Sequence, residues 1–162
     1  MSDEIIMDVQ GLKKYFPIHH GVFSHQMGGV VKAVDDISFR IYKGETLGLI
    51  GESGCGKTTL SRVLIGLTNA TGGRVLFEGK PLESYHRSEL CRKIQMVFQD
   101  PYSSVDPRMN MRRIIEEPLR IHTRLTGREK LEVILPLVKD LGFSEEDLKK
   151  YPHEFSGGQR QR

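Results

Sequence analysis

No apolar run in the 162 residues approaches the roughly 18 needed to span a bilayer, and 38% hydrophobic with 28% charged residues is the balance of a soluble protein. A transmembrane segment is therefore not expected. The first residues, Met1-Ser2-Asp3-Glu4, are acidic and lack the basic region and apolar stretch of a secretory signal, which makes the cytoplasm the default compartment. Two cysteines, Cys55 and Cys91, make no disulfide framework. A formal charge of +3 is small for this length and the basic residues are scattered, so a nucleic-acid partner is not indicated. A stop signal is missing as well. The sequence ends at Gln159-Arg160-Gln161-Arg162, inside a polar helical pattern, and this suggests a cut chain even though the length suffices for one domain with a real core.

What is present is organised around Gly51-Glu52-Ser53-Gly54-Cys55-Gly56-Lys57-Thr58-Thr59, two glycines separated by four residues and followed by Lys and Thr. The apolar residues 46–50 come just before it, and residues 59–65 follow with helical spacing, which supplies the strand, loop and helix that the motif needs. Gly51, Gly54 and Gly56 let the loop fold so that successive backbone N–H groups converge on phosphate oxygens at a helix N-terminus, and Ser53, Cys55 and Thr59 belong to the same nucleotide-binding stretch. Lys57 then reaches the outer phosphates, and the Thr58 hydroxyl is placed to ligate Mg²⁺. This is a nucleotide site.

Residues 5–10 and 31–42 read as strands, the second alternating around Ile37, Phe39 and Ile41, with a turn at Lys43-Gly44-Glu45. The Pro, Gly and His content of residues 15–29 marks a loop or long hairpin between them. His19, His20 and His25 invite a metal reading, but no Cys or carboxylate lies nearby in sequence and a solvated loop explains them. Residues 71–74 turn into a strand at 75–77, residues 78–81 turn out of it, and 84–93 has the pattern of a short helix. Residues 94–98 have the composition of a buried strand ending at Gln99, and Pro101 and Pro107 prevent its continuation. From Asn110 onward the periodicity is helical, through Ile114, Ile115, Leu119, Ile121 and Leu125. Thr126-Gly127-Arg128-Glu129 reads as a capping box for a second helix ending near Leu141, with Gly142 as its C-terminal cap. A third helix is expected from Ser144-Glu145-Glu146-Asp147 to a point before Pro152. Ser156-Gly157-Gly158-Gln159 then places a hydroxyl and two glycines at a helix start, geometrically a second anion site.

A phosphate loop, a strand ending in Gln99, a helical insertion and Ser-Gly-Gly-Gln, in this order and spacing, resemble the nucleotide-binding domain of an ATP-binding cassette transporter over essentially the whole chain. The resemblance implies an α/β P-loop NTPase fold with an antiparallel β subdomain and a helical subdomain, the C-terminal part of the core being absent. Residues 1–99 would hold the β subdomain and the first part of the core, and residues 100–162 the Gln99 loop and helical subdomain. Within the family, residues 32–39, 44–48, 51–58 and 97–104 are similar to the second ATPase subunit of oligopeptide and dipeptide importers. Nickel and glutathione importers share that group.

The resemblance also implies roles. Phe16, or alternatively Tyr15, would stack on the adenine of ATP. Gln99 would contact Mg²⁺ and the attacking water, and the loop from Asp100 to Met109 would approach the membrane subunits. Ser156, Gly157, Gly158 and Gln159 would close over the nucleotide of a partner ATPase subunit in a head-to-tail dimer. Two membrane permease subunits and, indirectly, a solute-binding protein complete the implied partners, with the ATPase peripheral on the cytoplasmic face. The strand ending in Asp-Glu and the switch His that the family places after the signature have no counterpart here, so Lys57, Thr58 and Gln99 would supply binding and charge stabilisation without an assignable general base. Residues 1–162 alone are therefore expected not to turn over ATP. The competing class is a non-transport cassette protein acting as a nucleotide-dependent clamp on nucleic acid or the ribosome, against which stand the modest charge and the importer-like motifs.

Overall fold

The computed structural model describes residues 4–19, 27–98 and 105–162. The chain forms two compact units, Met1–Met96 and Val97–Arg162. The first is built on a long antiparallel hairpin. β1 (Ile5–His19) pairs with β2 (Met27–Tyr42) from Ile5 opposite Tyr42 to His19 opposite Met27. Both strands thus run well into the segment that reads as a loop or long hairpin. The turn at Lys43-Gly44-Glu45 closes the end of β2, with Gly44 at φ 77° and the Glu45 N–H donating to the Tyr42 carbonyl at 3.1 Å.

β3 (Gly72–Phe77) joins the free edge of β1, and a turn through Glu78 and Gly79 leads to the two-residue β4 (Lys80–Pro81), giving the order β2-β1-β3-β4. Gly73 is where β3 meets the bulge of β1: a Cβ on it would come within 2.2 Å of the Gly11 carbonyl oxygen. One face of the sheet carries α1 (Lys57–Leu64) and α2 (Arg87–Lys93). Met7, Val9, Leu12, Val34, Leu60, Val63, Val75, Phe77, Leu82 and Leu90 form the core between them. These are the apolar positions of alternating strands and of one helix face, as burial of a half-wet sheet requires.

Three expectations for residues 46–98 need correction. Residues 46–50 form no strand; Ile50 is 96% exposed, and Leu47 and Leu49 are exposed too. Residues 94–98 form none either, with Val97 93% exposed. Neither segment belongs to the four-stranded sheet, and they do not pair with one another. An apolar strand gains its ladder only from a neighbour, and neither segment is hydrogen-bonded into the sheet of the described residues. The helix expected over 84–93 is split, because Tyr85 is extended (ψ 137°) between a 3-10 turn at Leu82–Ser84 and α2. Its hydroxyl donates to the Phe77 carbonyl at 2.8 Å and its ring tilts against that of Phe77, contacts a continuous helix would break.

The second unit is helical. α3 (Met111–His122) starts at Asn110, whose Oδ1 accepts from the Arg113 N–H at 3.0 Å. α4 (Gly127–Asp140) starts with the expected capping box: Thr126 Oγ1 accepts from the Glu129 N–H, and Glu129 Oε2 accepts from the Thr126 N–H at 2.7 Å. Gly142, at φ 79°, ends it as expected. Ile134, Val138, Phe143 and Leu148 make the core, with Ile115, Leu119 and Phe155 packed around it. The third helix is only a 3-10 turn, Glu146–Lys149, followed by another at Pro152–Glu154. Asp147 folds back to cap Ser144, and Pro152 leaves no room for a further turn. α5 (Gly157–Gln161) closes the chain. Among the described residues no helix is long and apolar enough to cross a membrane.

Candidate nucleotide site

The loop before α1 is held by its glycines. Gly54 and Gly56 sit at φ 82° and 99°, and Gly56 is the residue from which α1 springs. A Cβ at Gly56 would lie 2.0 Å from the Ala33 carbonyl oxygen, so the loop is seated directly on the β2 backbone and no other residue fits. The Cys55 N–H donates to the Glu52 carbonyl at 3.3 Å. The Lys57 ammonium curls back over the loop, donating to the Gly51 and Glu52 carbonyls at 2.7 Å each and lying 3.5 Å from Cys55 Sγ.

Two features suit this loop to an anion. No side chain caps the α1 N-terminus, and its first turn has no acidic residue, so the first N–H groups and the positive end of the helix dipole face outward without a competing carboxylate. Lys57 adds a full charge that is held by carbonyls rather than by an acid. Ser53 and Thr58 are exposed residues of the same stretch, and Thr59 is half-buried. Among the described residues no group of His, Cys, Asp and Glu could hold a metal ion by itself, so a divalent cation here would rely on the Thr58 hydroxyl together with oxygens of the ligand.

Tyr15 and Phe16 differ sharply. The Tyr15 hydroxyl donates to Asp35, and the Lys32 ammonium donates to the same carboxylate at 3.1 Å while standing 5.3 Å from the Tyr15 ring centre. The hydrogen bond from Tyr15, then that from Lys32, holds Asp35 below the usual carboxylate range; the bond to Asp35 raises the Tyr15 phenol. Tyr15 is thus engaged on its own side of the hairpin. Phe16 is 42% exposed, and its ring is covered by the Lys14 ammonium at 4.9 Å.

In the helical unit, Ser156 caps α5: its Oγ accepts from the Gln159 N–H at 3.3 Å, and Gln159 Oε1 accepts from the Ser156 N–H at 2.8 Å. Gly157 and Gly158 form the first turn of that helix. Gln99 and Asp100–Ser104 lie outside the described residues, as do His20, His25 and the side chain of His19. The seating of the loop on the Ala33 carbonyl leaves no signal in the sequence, because a backbone contact does not depend on side-chain identity.

A glycine loop seated on a strand, a lysine folded over it and an uncapped helix behind define the phosphate-loop class of nucleotide-binding folds. Residues 34–162 match the ABC transporter family, and the chain belongs to that family. The oligopeptide transport ATP-binding protein AppF of Bacillus subtilis (strain 168) is 47% identical over 99% of this chain and 50% of its own length. OppF of the same organism, also an oligopeptide transport ATP-binding protein, is 47% identical over 98% of this chain and 51% of its own. The glutathione import ATP-binding protein GsiA of Escherichia coli O157:H7 is 41% identical over 100% of this chain and 26% of its own length. The chain spans about half the length of the first of these curated relatives. The dimeric post-hydrolysis structure of the ATP-binding cassette MJ0796, bound to ADP and Pi, shares the fold with a TM-score of 0.74 at 23% identity, over 95% of this chain and 65% of that one.

Proposed function

We propose that the chain is the ATP-binding part of a subunit that couples ATP binding and hydrolysis to uptake of di- or oligopeptides. The observation that carries the reading is Lys57, folded over a glycine loop at the uncapped N-terminus of α1. In this reading Gly51, Ser53, Gly54, Cys55, Gly56, Thr58 and Thr59 cradle the phosphates with Lys57, and Thr58 and Gln99 contact Mg²⁺. Ser156, Gly157, Gly158 and Gln159 face the nucleotide of a second ATPase subunit. Residues 1–99 carry the first nucleotide surface, and residues 100–162 carry the surface offered to the partner and to two permease subunits at the cytoplasmic face of the membrane. Lys57 balances charge on the outer phosphates, and the N–H groups of the loop orient them; bound Mg²⁺ would add further charge stabilisation at the same oxygens.

Phe16 rather than Tyr15 is the base platform in this reading, and the strand alternation supports it. Leu12, Lys14 and Phe16 share the face of β1 that packs on α1, whereas Tyr15 points to the other. Phe16 pairs with Val31, two residues from the Ala33 that seats the loop, a separation of roughly 8 Å along and across the strands and within the span of one nucleotide.

Mg-ATP binding by the wild-type chain and by Lys57→Ala tests the site. The variant is expected to bind at least about tenfold more weakly, a change of about 1.4 kcal/mol. Equal affinities would remove the phosphate-loop reading. For the solute, loss of the gene should impair uptake of short peptides. Lost glutathione uptake with intact peptide uptake would instead favour the second reading, which the similarity to GsiA supports.

A further inference from the structure

We infer that Lys14 is a second cation of the nucleotide site, serving the α-phosphate and ribose end of a bound nucleotide while Lys57 serves the outer phosphates. The inference rests on the reading of residues 51–59 as the phosphate loop and of Phe16 as the base platform.

The first argument is the face on which Lys14 stands. Leu12 is 0% exposed and packs in the cluster that includes Leu60 and Val63 of α1. From Leu12 to Pro17 the extra residues of the irregular register fall on β2, since Leu12 faces Ile37, Lys14 faces Val34 and Tyr15 faces Lys32. The alternation along β1 is therefore uninterrupted there, and Lys14 and Phe16 follow Leu12 on the side of α1 and its loop.

The second is order along that face. Lys14 lies opposite Val34, whose Cγ2 is 4.0 Å from the place a Gly56 Cβ would take, and Val34 adjoins the Ala33 carbonyl on which the loop is seated. Phe16 lies two residues farther on. The sequence in space is loop, Lys14, Phe16, so a nucleotide reaching from the loop to the ring passes Lys14.

The third is charge. Among the described residues Lys14 makes no ion pair, whereas Lys32, Lys43 and Lys93 each hold a carboxylate at 2.5 to 3.1 Å. The Lys14 ammonium is instead parked over the Phe16 ring. That cation–π contact at an exposed site is weak beside a charge-assisted bond to phosphate, and the four-carbon stem lets the ammonium leave the ring as a base arrives.

Binding of ATP and ADP would be measured by calorimetry for the wild-type chain, Lys14→Met and Lys14→Arg at low and moderate salt. Lys14→Met keeps the length of the stem and removes the charge. At low salt it should weaken both nucleotides by a similar factor, about fivefold, with the loss shrinking as salt is raised; Lys14→Arg should recover most of it. An affinity within twofold of wild type, or a loss that is the same at both salts, overturns the inference, the latter because it would mean that Lys14 acts only by packing on Phe16. A loss confined to ATP overturns it too, since the charge would then serve the outermost phosphate. If Lys14→Met lowers the thermal midpoint, Lys14→Gln takes its place in the same comparison. Absence of ATP binding by the wild-type chain would sink the proposed function itself, a result distinguishable from any outcome at Lys14.

Discussion

The two units are held together in different ways. In the sheet unit the buried side chains come from segments far apart in the chain: Leu12 of β1, Val34 of β2, Leu60 of α1, Val75 of β3 and Leu90 of α2 meet in one cluster. In the helical unit the core residues Ile134, Val138, Phe143 and Leu148 are close neighbours in sequence, and the elements around them begin at caps formed by side chains three residues away. Non-local packing closes the first unit, whereas in the second the central core and the helix caps are local and Ile115, Leu119 and Phe155 pack around them from farther along the chain. An element of the first kind needs a partner before its side chains are worth anything to stability, while one of the second kind needs only its own turn.

The largest effect separates a closed position from an open one within the sheet unit. Leu12→Ala removes a fully buried side chain and should cost about 2–5 kcal/mol, through lost burial and the cavity left behind. Ile50→Ala, at an equally apolar residue that is 96% exposed, should change stability by no more than about 0.5 kcal/mol. Urea denaturation followed by circular dichroism reads both. Comparable losses would break the comparison, because they would place residues 46–50 in a packed environment. A smaller effect addresses local closure. Thr126→Ala deletes the hydroxyl that receives the Glu129 N–H and should lower the stability of the helical unit by about 1 kcal/mol, without the broad cost of a core cavity. A loss as large as that at Leu12 would mean that the cap also organises the packing behind it.

The same difference explains what could be read from the sequence. Thr126, Asn110, Gly142 and Ser156 announce helix ends because the groups they satisfy lie within one turn, and all four act there. The turn of the glycine loop into α1 was legible for a similar reason, as Gly51, Gly54, Gly56 and Lys57 lie close together in the chain. Residues 46–50 and 94–98 carry an apolar pattern that is necessary for a buried strand and does not create one, since pairing depends on chain elsewhere. The bend at Tyr85 was hidden because its cause is the distant Phe77 carbonyl. The third helix failed at Asp147, whose carboxylate serves a turn as readily as a helix start.

That carboxylate gives the smallest and most local test. Asp147 Oδ2 accepts from the Ser144 N–H and from the Ser144 hydroxyl, both at 2.8 Å, and Oδ1 accepts from the Lys150 ammonium at 2.6 Å. The bond from Lys150, followed by those from Ser144, lowers its pKa from the ordinary 3.8 to about 2. Because the folded value lies below the unfolded one, the folded state favours the ionised form. The resulting stabilisation is fully present above about pH 4 and is lost as pH falls through about 2. Asp147→Asn should therefore be less stable than wild type at neutral pH, with the gap closing across that acid window. Added salt should reduce the gap only in part, because it screens the exposed Lys150 pair more than the bonds from Ser144. A gap that stays constant down to pH 2 would assign the loss to altered hydrogen-bond geometry rather than to charge, and the turn would then be held by its shape alone.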